Sequence, residues 1–121
     1  MLMSRLPLCG LLHVLLLFAL CGCSQETPSH ALDQDLARAS IQKAMQAWVE
    51  GKTPKDLSPE IVVGDQSWEQ GKKLLSFEIV STEETSDGSN LHIPVKQKFE
   101  SSESEVTYIV GTSPVITIFP Q

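Results

Sequence analysis

Hydrophobic and polar positions divide this chain into three stretches with different periods. Leu6 to Leu20 is an uninterrupted apolar run without charge, in which His13 is the one strongly polar member. A polar stretch follows from Ser24 to His30. Residues 32–50 then follow the period of a helix, with Ile41, Ala44, Met45, Trp48 and Val49 at i, i+3, i+4, i+7 and i+8 and Ala37 extending the same stripe. Leu32 and Leu36 fall off that stripe. Asp33 and Asp35 suit the positive end of the helix dipole, Gly51 stands where a left-handed cap belongs, and Pro54 prevents continuation.

Beyond Lys52 the period changes to two. Thr53 to Glu60 reads as a loop, and Ile61-Val62-Val63 as a brief strand or a turn plugging the core. Leu75, Phe77 and Ile79 alternate with polar residues and predict a half-buried strand; Asp87-Gly88 is a hairpin signal. Leu91, Ile93, Val95 and Phe99 predict a second strand, placed at an edge or a bulge by Pro94, which has no N–H for a ladder. Val106, Tyr108 and Val110 predict a third, and Val115 to Phe119 a fourth. The expected fold class is α+β, one long N-terminal helix packed on a four-stranded antiparallel meander sheet.

The first apolar run is too short for a bilayer-spanning helix, which needs about 20 apolar residues. Behind Arg5 it has the form of a signal-peptide core. Leu20-Cys21-Gly22-Cys23 closes it and resembles the bacterial lipobox, with Leu20 and Gly22 as cleavage-site recognition residues and Cys23 as the lipidated residue. Cys21 departs from the pattern at a position where Ala or Ser is commoner. The resemblance implies cleavage before Cys23, diacylglyceryl transfer to its thiolate, and attachment to a membrane of the bacterial cell envelope; Ser24 suggests the outer one. A thiolate is needed because it is the nucleophile in that transfer. The expected organisation is a lipoprotein signal peptide over residues 1–22, lipidated Cys23 with a polar tether over 23–31, and a single small domain over 32–121. An ordinary secreted protein and a retained helix are the alternatives.

Charge and cysteine content narrow the function. The chain has a formal charge of −6, and losing Arg5 with the signal peptide makes it −7, which argues against nucleic acid as a partner. Cys9, Cys21 and Cys23 are the three cysteines, so processing leaves the domain no thiol for a disulfide, a metal site or catalysis. The histidines of the mature part, His30 and His92, have no metal-ligand spacing, and no nucleotide or hydrolase motif is present. No metal and no cofactor are expected.

The element order resembles the cystatin-like or nuclear-transport-factor-2-like arrangement. Trp48, Gly51-Lys52-Thr53-Pro54, Trp68, Gly71, Leu74-Leu75, Tyr108-Ile109-Val110 and Thr112-Ser113-Pro114 are similarly placed in small exported bacterial proteins. That resemblance implies packing and turns and carries no activity. The expected function is a non-catalytic binding or structural module at the envelope, contacting the membrane through Cys23 and another envelope protein through Trp68 or a sheet edge. The alternative is a ligand carrier, hydrolase or isomerase using His92, Tyr108 and a nearby acid.

Overall fold

A computed structural model describes residues 31–121. Leu20, Gly22, Cys23 and the tether expected over residues 23–31 therefore lie, but for residue 31, outside the described residues. Helix α1 spans Gln34–Val49, capped by the Asp33 carboxylate, which accepts from Leu36 N at 3.0 Å. It is an ordinary sixteen-residue helix, not the long one expected. A 3₁₀ turn (Pro54–Leu57) leads to strand β1 (Ile61–Val63) and the one-turn helix α2 (Gln66–Glu69). Strands β2 (Ser76–Ile79), β3 (Thr85–Ser86), β4 (Asn90–Lys98), β5 (Glu103–Gly111) and β6 (Ile116–Pro120) complete the chain.

The protein is α+β, but the sheet is not a four-stranded antiparallel meander. It has six strands in the order β1-β6-β5-β4-β2, with β3 also on β4. β1 pairs parallel with β6, Ile61 opposite Ile116 and Val63 opposite Ile118, and this makes the sheet mixed. The apolar run at 61–63 gave no sign of a partner more than fifty residues away, because a strand this short has no pattern that specifies register.

Pro94 lies in a central strand, against expectation. Val80 N donates to Pro94 O at 2.9 Å, so both backbone atoms of Pro94 face β2. Pro94 has no N–H to return, the ladder with β2 stops at Ile79, and the chain loops through a 3₁₀ turn (Ser81–Glu83) before pairing again as β3. The proline is tolerated because its missing donor falls in a gap between two short neighbours. Glu84 closes that loop. It is mostly buried and accepts from Arg38 Nε at 2.8 Å and from Nη2, tying β3 to α1.

The core lies between α1 and the inner face of the curled sheet. Ala37, Ile41, Ala44 and Met45 meet Leu91, Ile93 and Val95 of β4, Tyr108 and Val110 of β5, Ile118 of β6 and Ile61 of β1. A buried side chain of this size contributes about 1.5–3 kcal/mol. The outer face is uneven. Glu78, Lys96 and Glu105 stand in one row across β2, β4 and β5, whereas Val62, Ile109 and Phe119 occupy the β1–β6–β5 side.

A duplicated hexapeptide joins the two helices. Ala47-Trp48-Val49-Glu50-Gly51-Lys52 ends α1, and Ser67-Trp68-Glu69-Gln70-Gly71-Lys72 ends α2. Each ends in the same double-bonded turn: Gly51 N to Trp48 O and Lys52 N to Ala47 O in one, Gly71 N to Trp68 O and Lys72 N to Ser67 O in the other. Both glycines have left-handed backbones, φ 86° and 88°. The tryptophans are exchanged: Trp48 Nε1 donates to Lys72 O at 2.6 Å and Trp68 Nε1 to Lys52 O at 2.7 Å. Their rings stack at 5.1 Å with 7° between planes. Two helix ends thus satisfy each other's carbonyls through a reciprocal pair of indoles.

Candidate functional site

After β1 the chain turns through Gly64 into Asp65, whose carboxylate does two jobs. Oδ1 caps α2, accepting from Ser67 N at 3.1 Å and Trp68 N at 3.3 Å. Oδ2 accepts the phenol proton of Tyr108 at 2.5 Å. The phenol oxygen in turn accepts from Gln97 Nε2 at 2.7 Å, and that nitrogen also lies 3.7 Å from Met45 Sδ. A carboxylate only accepts, so the phenol must donate to it, and Gln97 must then turn its nitrogen to the phenol. The chain of donors runs one way, from β4 through β5 to α2.

All three polar residues are buried: Tyr108 is 0 % exposed, Gln97 4 % and Asp65 5 %. Burial first, and the bond to the Asp65 carboxylate second, push the Tyr108 hydroxyl far above its ordinary value, so it stays a neutral donor at any physiological pH. Gln97 Oε1 has no hydrogen bond among the described residues and is not sealed from solvent. Gln97 lines a cavity of about 260 Å³ together with Asp65, Lys72, Phe99 and Tyr108.

A second cavity of about 240 Å³ lies beside it, lined by Trp48, Trp68, Lys52, Lys72 and Lys73. Lys72 is the wall the two share, its ammonium 4.0 Å from the centroid of the Phe99 ring. The pair of hollows presents aromatic surface, one amide acceptor and three lysines on a chain that is otherwise acidic. It suits a small ligand with a donor for Gln97 and an anionic group for the lysine rim.

The structure brings two of the expected binding residues together and separates the third. Trp68 is buried, because Asp65 starts a helical turn that folds its indole onto Trp48. Tyr108 meets the same Asp65 from the sheet side. His92 stands on the outer face of β4, where Nε2 lies 2.9 Å from Asp87 Oδ2 and Nδ1 3.3 Å from Gln121 Oε1. The Asp87 bond raises the His92 value, and His92 holds Asp87 far below the usual carboxylate range. The sheet stands between His92 and Tyr108, so the geometry does not let them share a substrate.

Asp65, Gln97 and Lys72 are site residues that the sequence reading passed over. Gln97 had a usable signal: it continues Leu91, Ile93 and Val95 on the core face, where a polar side chain demands a partner. Among the described residues no group of His, Cys, Asp and Glu is placed to hold a metal ion, and no helix is long and apolar enough to cross a membrane. No family model matches the chain, and comparison with curated proteins and with solved structures finds no match.

Proposed function

We propose that this chain is an exported lipoprotein of the bacterial cell envelope, held to a membrane by lipid on Cys23 and serving there as a non-catalytic binding module. The observation that carries the reading is Leu20-Cys21-Gly22-Cys23 closing a charge-free run directly ahead of a polar stretch. The position of the Asp33 cap supports it, since ten residues separate the lipid-bearing cysteine from the first helix. Two acyl chains at about 0.8 kcal/mol per buried methylene give stable attachment. The binding role rests on the paired hollows around Lys72. The first of them is lined by a hydrogen-bonded network whose phenol stays protonated, which favours recognition over chemistry.

The test is incorporation of a labelled palmitate analogue, with fractionation of the native chain and of Cys23→Ala. The native protein should carry label and remain in membranes after a high-salt wash, and the variant should do neither. A variant that stays in the washed membrane fraction overturns the lipoprotein reading.

A further inference from the structure

Among the described residues five large apolar side chains are exposed, and three of them lie along β1 and β6, while Leu75 (44 %) stands apart ahead of β2. Val62 (41 % exposed), Phe119 (42 %) and Val115 (49 %) belong to β1, β6 and the residue just ahead of β6; Leu36 (40 %) is in the first turn of α1. Val62 and Phe119 share the outer face of the sheet with Ile109, and no residue from Val106 to Gln121 carries a formal charge. A monomer scatters single exposed hydrophobes; a contiguous strip beside a charged row is a contact surface.

The way the chain enters the domain says what that surface meets. Asp33 N donates to Thr112 Oγ1 at 3.0 Å, and Leu32 N to Gly88 O at 3.3 Å, so the first residues of the domain are fastened to the β5–β6 and β3–β4 turns. Val115 follows Thr112 by three residues. Asp33 lies ten positions after Cys23, a span of at most about 35 Å when fully extended. That is close to the width of a domain this size, about 30 Å. A tether of that reach lets any face meet the lipid, but it joins the domain at the end bearing Thr112 and Val115, which favours that end.

We propose that the strip formed by Val62, Phe119 and Val115 docks on the lipid surface that anchors Cys23, and so turns the Trp48/Trp68/Lys72 hollows away from the membrane. This rests on the lipoprotein reading. Asp33, Asp35 and Asp87 stand at the same end, so contact is through apolar side chains at the headgroup boundary, needs no cationic residue and survives high salt. In the processed chain Val115→Cys supplies a single free thiol on the strip, and Lys98→Cys supplies one in the charged half of the outer face.

Acylated full-length protein carrying either thiol is labelled with an environment-sensitive fluorophore. It is then reconstituted in phosphatidylethanolamine–phosphatidylglycerol vesicles containing nitroxide-labelled lipid. Flotation of both proteins, with quenching at position 115 at least threefold greater than at 98 and retained in high salt, is the expected result. Flotation with equal quenching overturns the docking and leaves the anchor standing. Loss of flotation overturns both. Shielding of position 115 in detergent together with a dimer in sedimentation assigns the strip to a second copy and overturns the membrane contact. Matching thermal melts of the two labelled proteins keep the comparison free of unfolding.

Discussion

Replacing Tyr108 with Phe removes one oxygen and leaves the ring in the core. Two buried groups lose a partner. Asp65 Oδ2 loses the phenol donor, while Oδ1 keeps its two backbone donors; Gln97 Nε2 keeps only the Met45 sulfur at 3.7 Å. A hydrogen bond to a charged acceptor contributes about 1.5–3 kcal/mol and a neutral one about 1 kcal/mol. Water in the adjoining cavity can replace part of this, so the lower ends apply and the expected loss is about 2–3 kcal/mol. For a domain of about 90 residues this lowers Tm by roughly 10–20 °C. Urea unfolding followed by tryptophan fluorescence measures it, with a lower midpoint at an unchanged slope. A double-mutant cycle with Gln97→Leu should return a coupling of about 1 kcal/mol. A loss under about 0.5 kcal/mol, or additivity in the cycle, would mean that the network carries no stability and only happens to be satisfied.

Other perturbations test separate parts of the structure. Trp68→Phe removes the Lys52 O bond and the indole stack, so it should destabilise by about 1–3 kcal/mol and abolish the exciton couplet that stacked indoles give in circular dichroism. A couplet that survives sinks the clasp. Gly71→Ala places a Cβ on a backbone at φ 88° and should lower stability by about 1 kcal/mol in the same urea assay. Gly64→Ala should destabilise more, because its Cβ would run into the Phe119 ring, and Phe119→Ala should rescue part of that loss. His92→Gln tests the outer-face pair through pH. His92 is raised from 6.5, so its contribution is full below that value and fades as pH climbs through the raised one. Asp87 is lowered from 3.8, so its contribution is present above that value and fades in acid. The stability difference between native protein and His92→Gln should thus be widest between pH 3.8 and 6.5 and shrink on either side.

Local elements were legible where the pattern is local. The α1 stripe, the Gly51 cap, and the β4, β5 and β6 strands all follow from side-chain period and turn chemistry, whereas Asp33 was placed only by its charge and caps the helix instead. Two things depended on distant partners. The parallel seam between Ile61–Val63 and β6 has no trace in either segment alone, and Pro94 could be placed only once the break between β2 and β3 was known. The site was half legible. Tyr108 and Trp68 stood out as residue types, but Asp65, which joins them, resembled any loop acid. The repeated Trp-x-x-Gly-Lys at 48–52 and 68–72 was visible in the letters, and its meaning as an exchange of side chains was not.

The reciprocal indoles make α2 conditional. Four residues cannot form a persistent helix alone, since nucleation is unfavourable and no run of propagated bonds follows. This one is held at its first residue by the bridge from Asp65 to Tyr108 and at its last by the exchange with α1. It therefore opens or closes as a unit. Loss of both contacts would free residues 65–72 and, with them, the walls that Asp65, Trp68 and Lys72 give the two hollows. Amide hydrogens of Trp68, Glu69 and Gly71 should then exchange together, at one rate set by a sub-global opening, and faster than those of Val95 and Val110 in the sheet centre. The short helix is in this sense a clasp, since both hollows take part of their wall from residues 65–72.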